Sequence, residues 1–411
     1  AGDGTFLDTT GESGLTGEVM SSSVALADLD RDGHLDAYVA NYVDSMQVCE
    51  NPDGTYSTCN PANYHGEQDQ LFLNNGDGSL VDVTVSSGVV ADDGKALGVV
   101  VCDFNLDEWP DVYIANDTTP NFLFANTGER PLRFSETALL AGVALSGEGQ
   151  AQAGMGVACA DLDGNGLPDL YVTNFYQDVN TLYLNEGGFL FRDATQQAGL
   201  AASTHPWLGF GTQALDADLD GDFDLFVANG HIDDFRELGE PWKMPPQLFV
   251  NSGAIRFAEV SQAAGDYFSG EYLGRGVARL DWNRDGLPDL VVVHQDRPVA
   301  LLENRTAPAG NCLTVALYGV ESNRDAIGAR LTVRTGDDTR TFQLTGGDGF
   351  FASNERVFTI GVGSADSVSR LEVVWPSGRR ETFSNLPTGA RLIFVEGRPT
   401  PLRALPLLGG T

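Results

Sequence analysis

Basic residues are scarce in this chain: 24 Lys and Arg stand against 58 Asp and Glu, a formal net charge of -34 over 411 residues. So acidic a surface repels nucleic-acid phosphate and anionic lipid, and neither is expected as a partner. No apolar run reaches the roughly 20 residues of a membrane-spanning helix, so no membrane insertion is expected. No long helical period is present. Common catalytic signatures are missing too: there is no nucleophile elbow, Walker loop, HExxH or dinucleotide fingerprint. The Gly-rich stretch Gly346–Gly349 lacks the Lys and the following helix of a phosphate loop. Cysteine is limited to five residues, and their spacing suggests no zinc site. Cys49 and Cys59 flank the turn-rich Asn51-Pro-Asp-Gly-Thr55 and read as a disulfide stapling a loop, which fits an oxidising compartment. Cys102 and Cys159 lie in apolar strands and read as buried free thiols, whereas the pairing of Cys312 is left open.

What the chain has in excess is acid at one spacing. Asp216-Ala-Asp218-Leu-Asp220-Gly-Asp222-Phe-Asp224 puts side-chain oxygens at loop positions 1, 3, 5 and 9, with Gly221 at position 6. Alternate residues turn their oxygens inward, the Gly permits the sharp bend, and position 7 offers a carbonyl; this is the front of a calcium loop. The spacing recurs four more times. The first loop has Asp28, Asp30, Asp32, His34 and Asp36 at positions 1, 3, 5, 7 and 9; the second has Asp103, Asn105, Asp107, Trp109 and Asp111. The third has Asp161, Asp163, Asn165, Leu167 and Asp169, and the fifth Asp281, Asn283, Asp285, Leu287 and Asp289. Turn preference alone does not demand this pattern five times. Up to five structural Ca2+ ions are therefore expected. Five divalent ions would bring the charge from -34 to -24. Weak calcium modules work where calcium is millimolar, so a secreted, periplasmic or extracellular location is expected.

Each loop joins two short apolar strands, and a third and fourth strand follow. Examples are Gln70–Asn74 with Leu80–Thr84, and Thr181–Asn185 with Phe189–Asp193. Four sequential strands per repeat describe a propeller blade. The last repeat lacks its fourth strand, and the chain opens with Gly4–Thr9, which reads as a fourth strand without a blade. The expectation is an all-β fold: a five-bladed β-propeller over residues 1–306 closed by this N-terminal strand, with six or seven blades as the alternative. Residues 311–397 hold no Asp loop and alternate as about seven strands, suggesting a small antiparallel β-sandwich. Residues 398–411 read as a tail.

The Asp-rich repeat, with its following strand and Asn, resembles the FG-GAP or VCBS repeat of integrin-type propellers. Ser322-Asn-Arg-Asp-Ala-Ile-Gly-Ala329, Gly346-Gly-Asp-Gly-Phe-Phe351 and Val373-Val-Trp-Pro-Ser-Gly378 resemble the ASPIC/UnbV domain. Together, and with Asn229-Gly-His-Ile232, they resemble the cartilage acidic protein family and its bacterial relatives. The resemblance implies a secreted calcium-binding protein of adhesion or binding type, without an agreed catalytic mechanism. Asp348 and Asn354 depart from the Ser and Gln that the resemblance leads one to expect, and Glu108 replaces the Gly of its loop. A side chain at that bend is expected to cost stability or weaken the second site.

In such a fold the Asp loops share one face, and the insertions 42–69 and 230–246 lie on the other. Asn41, Asn116, Asn174, Asn229 and His294 end the second strands there, beside Tyr42, Asp117, Phe175, His231 and Gln295, with Gln152, Trp207 and Arg275 entering the first strands. The Asn residues are expected to cap strand ends. His231, His294, Asp117 and Arg275 are candidates for an acid/base or metal set over the central channel. His65 and His205 read as loop residues; Trp207 and Trp242 could pack or stack on sugars. The leading expectation is a module binding a glycan, protein or small molecule through the insertion face. The alternative is an enzyme of lyase, isomerase or cyclase type acting on a sugar or secondary metabolite at the channel mouth.

Overall fold

Runs of β-branched and aromatic residues broken by Asp-Gly and Asn-Gly turns give strands and little else. A computed structural model of the protein describes residues 4–15, 17, 19–45, 48–50, 54–253, 255–307 and 310–403. Among these, helix is confined to segments of three or four residues.

Residues 21–302 form five antiparallel sheets, met one after another along the chain. The first orders Ser21–Ala27, Asp36–Asn41, Gln70–Asn74 and Leu80–Asp82. The third orders Val157–Ala160, Asp169–Val172, Thr181–Asn185 and Phe191–Asp193; the fourth orders Gly209–Leu215, Asp224–Asn229, Gln247–Asn251 and Phe257–Glu259. The second runs Ala96–Cys102, Asp111–Asn116, Phe122–Asn126 and Phe134–Glu136, and gains a further strand, Gly346–Gly347, from far along the chain. The fifth has three strands: Gly274–Leu280, Asp289–His294 and Ala300–Leu302. Each Asp loop joins the first strand to the second.

Apolar layers separate consecutive sheets. Tyr38, Val99 and Phe124 lie between the first and second, Tyr113, Leu170 and Tyr183 between the second and third. Tyr171, Leu184 and Phe249 follow, then Phe226, Leu290 and Val292. No comparable layer joins the fifth sheet to the first among the described residues, and Val24, Leu26, Val293 and Leu301 are exposed on the sheets that would have met. The expected strand at Gly4–Thr9 is not formed, and Phe6 is 100% exposed. Phe134, Phe191 and Phe257, its counterparts in the second to fourth sheets, are buried. So short a strand depends on burying that ring, and Phe6 has no layer to enter.

Beyond residue 310 two further sheets enclose a core around Trp375, Leu331, Phe383 and Phe394. One orders Asp338–Gln343, Arg330–Thr335, Ser367–Val374 and Arg380–Pro387. The other orders Val357–Gly361, Cys312–Tyr318, Ala390–Val395 and Leu402–Arg403. The expected all-antiparallel sandwich is corrected here: Cys312–Tyr318 runs parallel to Ala390–Val395, with Leu313 opposite Ala390. The strands between them form the crossover that a parallel pair requires. Of the expected tail, residues 404–411 lie outside the described residues, as do 51–53 of the turn between Cys49 and Cys59. That disulfide is formed and joins the hairpin Val48–Glu50 and Tyr56–Thr58.

These C-terminal sheets lie on the Asp loops. Ile327 enters the layer between the first and second sheets. Gln343 bonds the backbone of Asp103, and Arg340 that of Asp220. A finger, residues 345–356, then runs across the first strands of the five sheets. Gly346 and Gly347 pair with Val101 and Val100, Gly349 bridges Val157, and Asn354 bonds Gln213 and the amide of Arg279. A Cβ on Gly346 would lie 2.5 Å from the Leu26 carbonyl, and one on Gly347 2.3 Å from that of Val99, so only glycine passes here. Phe350 ends against Phe210, with ring centroids 5.0 Å apart.

Candidate cation loops and the opposite face

The five loops share one wiring. The ninth-position Asp accepts an amide from position 2 and another from the end of the third strand: Leu29 and Asn74 for Asp36, Leu162 and Asn185 for Asp169, at 2.7–2.9 Å. Asp111, Asp224 and Asp289 repeat it. The seventh-position amides of His34, Trp109, Leu167, Asp222 and Leu287 donate to the fifth-position side chains.

Three loops bring carboxylates together. Asp28, Asp30 and Asp36, then Asp161, Asp163 and Asp169, then Asp216, Asp218 and Asp220 each offer oxygens within 4.8 Å of one another. In these loops Asp30 Oδ1, Asp161 Oδ1 and Asp216 Oδ1 are buried without a hydrogen-bond partner. A buried carboxylate oxygen facing two like charges is costly unless a cation joins them. An all-oxygen donor set suits a hard cation, so these loops fit the expected calcium. Burial pushes the carboxyls up, backbone hydrogen bonds pull them partly back, and neighbouring acids add to the rise. Asp28 and Asp161 reach about 6, Asp216 about 7, and Asp36 and Asp169 about 8. A cation would favour the charged forms.

The second and fifth loops are arranged otherwise. Asn105 donates to Asp107 and Asn283 to Asp285, both at 2.8 Å. Asp103 and Asp281 accept two loop amides each, as Asp28 does in the first loop, but no carboxylate trio converges in either loop among the described residues. Asp32, Asn165, Asp222 and Asp224 sit in the convergent loops but outside the trios.

The Asn ending each third strand has a role that the spacing did not reveal. Asn126 Nδ2 donates to the carbonyl of Leu29, Asn185 to Phe104, Asn251 to Leu162 and Asn304 to Ala217, at 2.8–3.0 Å. Each bond runs to position 2 of the preceding sheet's loop. Asn74 bonds Leu35 of its own sheet instead. The available signal was the fixed placement of one amide per repeat.

On the opposite face Asn41, Asn116, Asn174 and Asn229 cap loop carbonyls of Gln68, Pro120, Val179 and Pro245 at 2.7–2.8 Å. The four acid/base candidates do not form one set. Asp117 accepts the Tyr42 hydroxyl at 2.6 Å, and burial raises its carboxyl against the pull of Lys95. His294 is held by Tyr267 and the Pro298 carbonyl. His231 is buried among Phe175, Tyr176 and Phe235, with Nε2 3.5 Å from Glu240. Burial lowers its imidazole below the usual range, against the pull of Glu240. Arg275 lies 4.1 Å over the Phe210 ring and donates to the His231 carbonyl; burial lowers it to about 10. No hydrogen bond or ion pair among the described residues links the Asp117 or His294 side chain to the other two. Asp117 follows the second sheet and His231 the fourth, whereas Arg275 and His294 both belong to the fifth, on its first and second strands. Gln152 is taken up by Asp178 and Thr181, and Trp207 packs near Phe210 and Phe350. His65 and His205 are exposed loop residues. Trp242 lies beneath Arg236 and Lys243. Cys102, Cys159 and Cys312 are free thiols.

Residues 319–401 match the ASPIC and UnbV family, and residues 103–172 and 161–227 match the FG-GAP-like repeat. The chain carries FG-GAP-like repeats and an ASPIC/UnbV domain. It is 26% identical to Cartilage acidic protein 1 of Mus musculus over 381 residues, covering 89% of this chain and 53% of that protein. To the Homo sapiens protein it is 27% identical over 313 residues, covering 73% and 44%. The chain thus spans about half the length of the curated relatives it matches. Among solved structures, an Agrocybe aegerita lectin specific for non-reducing terminal N-acetylglucosamine aligns with TM-score 0.37 at 17% identity, over 69% of this chain and 67% of that one. The ASPIC/UnbV match includes the finger, and the repeat matches include the second, third and fourth Asp loops.

Proposed function

We propose that this protein is a secreted, calcium-stabilised β-propeller that binds a glycan or protein partner through the face opposite its Asp loops. The observation that carries the reading is the division between faces. The ASPIC/UnbV sheets occupy the loop face, and the insertions 42–69 and 230–246 follow second strands, which end on the other. There Trp242 lies half-buried beneath Arg236 and Lys243, which pair with Asp234 and Asp296, an aromatic ring rimmed by ion pairs that suits a polar sugar or protein partner.

The five sheets are read as five blades within residues 1–306, with the C-terminal domain at 311–397. One contact supports a place for Gly4–Thr9 beside the fifth sheet. Gly88 abuts the Phe134 carbonyl of the next sheet's fourth strand, and Gly142 abuts that of Phe191. Gly14 abuts the Leu80 carbonyl of the first sheet in the same way. In this reading the residues before Gly14 would supply the fourth strand of a blade preceding the first.

Glycan-array and pull-down binding of the calcium-loaded chain, with Trp242→Ala as the control, tests this reading. Loss of binding on substitution supports it; equal binding by the variant removes the proposed face. A second reading, a lyase or isomerase, draws on the His231–Glu240 pair, a buried imidazole beside a carboxylate. Turnover of a sugar substrate abolished by His231→Gln would favour it.

A further inference from the structure

We propose that cation occupancy of the Asp loops and seating of the C-terminal sheets are one coupled equilibrium, with the sixth loop position as the point of contact. The inference rests on the calcium reading above.

The sixth residue makes the bend, and it also meets the C-terminal sheets in four of the five loops. A Cβ on Gly33 would lie 3.0 Å from the Glu321 carbonyl, and one on Gly166 3.7 Å from Thr341 Oγ1. On Gly221 it would fall 1.2 Å from Arg340 Nη1, so the guanidinium lies flat against the loop backbone. In the second loop Glu108 holds the bend at φ 74° and reaches Arg380 of the C-terminal sheets and Arg31 of the first loop. Whatever the bend costs, Glu108 joins two loops and the C-terminal sheets. The fifth loop makes the contact through Arg284 and the Asp281 amide, both on Glu355.

The fourth loop shows how the two events are joined. Arg340 donates to the carbonyls of Gly361 and Asp220 at 3.0 and 3.4 Å. Gly361 packs so closely that a Cβ there would meet Asp216 Oδ2 at 2.1 Å. Asp216 is 6% exposed, and its other oxygen is the one without a partner. The seated strand therefore shields the carboxylate that a cation would take. Without a cation, Asp216, Asp218 and Asp220 repel one another, and relief comes by opening the loop. Opening displaces the backbone of positions 4 to 6, against which Gly361 packs at Leu219 and Arg340 at Asp220 and Gly221. With a cation the loop closes, and the seat is complete. By linkage, seating must raise cation affinity by the same factor that the cation favours seating.

The test uses the full chain with calcium alone as the probe. Hydrogen exchange of residues 345–361 is followed against free calcium, and bound calcium is counted by equilibrium dialysis. Protection of 345–361 is expected to rise at the calcium concentration at which the loops fill. Arg340→Ala decides the sign. Removing a cation beside the site should tighten calcium by charge alone, whereas loss of seating should weaken it by about 5-fold or more. Weaker binding and earlier exchange of 345–361 support the coupling. Tighter binding, or calcium uptake by the wild type with unchanged exchange, overturns the coupling and leaves the calcium reading standing. Failure to bind calcium at all sinks both. The wild-type exchange measurement decides the matter even if the variant does not fold.

Discussion

Asn185 reaches out of its own sheet to donate to the Phe104 carbonyl at 2.8 Å. Phe104 is the second residue of the preceding Asp loop, so the bond ties the third sheet to the second. The same amide donates to Pro168, and its oxygen takes the Gly187 amide. Asn185→Ala leaves buried carbonyls unpaired and is expected to cost about 1–3 kcal/mol. Asn74→Ala, whose amide serves only its own sheet, should cost less. Urea unfolding of both variants checks the order; equal losses would show that the inter-sheet bond carries no special weight.

Calcium should be counted as three tight sites rather than five. The first, third and fourth loops have convergent carboxylates and an unpartnered oxygen, whereas the second and fifth show neither among the described residues. Asp218→Ala should remove one tight ion, and Asp107→Ala none. Chelator should lower the melting temperature of the wild type, since each site filled at about 100 times its Kd adds about 2.7 kcal/mol. Dialysis against labelled calcium and a melting curve in chelator check both; five equal sites would contradict the division.

The loops and the order of strands were legible because oxygen side chains and apolar residues alternate with fixed periods. Asp36 and Asp224 stand at the strand starts that the spacing implied. The finger was not legible. Gly346–Gly349 showed only that it is not a phosphate loop, because what demands glycine there is the carbonyls of Leu26 and Val99, over 240 residues away. Nor could spacing show that Leu313 lies parallel to Ala390, since a strand's pattern does not encode its direction. Nor could spacing show how the acid/base candidates are held: one residue type per repeat says which sheet end a side chain occupies, not what it meets there.

The Cys49–Cys59 bond should be a local staple. It spans 10 residues and pins a hairpin beside Val43 and Tyr64. In chain-entropy terms such a closure contributes about 2–3 kcal/mol. Reduction is expected to speed exchange of residues 48–58 and leave the five sheets folded. Thiol labelling before reduction should spare Cys102 and Cys312, which are buried. Labelling of Cys49 in the unreduced protein would refute the bond.

Asp69 should make stability fall as pH rises. It is buried, accepts the Tyr38 hydroxyl and the Asn41 amide at 2.7 Å each, and burial raises its carboxyl to about 7. An unfolded Asp ionises near 3.9, so between roughly pH 4 and 7 the native state holds a proton that the unfolded state has lost. Its contribution is fully present below the unfolded value and is lost as pH climbs through the folded one. Asp69→Asn keeps an acceptor for Asn41 and cannot ionise. The stability of Asp69→Asn relative to wild type should therefore rise with pH across that window, by at most about 1.4 kcal/mol per pH unit. Paired urea titrations at pH 5 and pH 7 check the sign, and a difference that is flat or falls with pH would rule this group out as the cause.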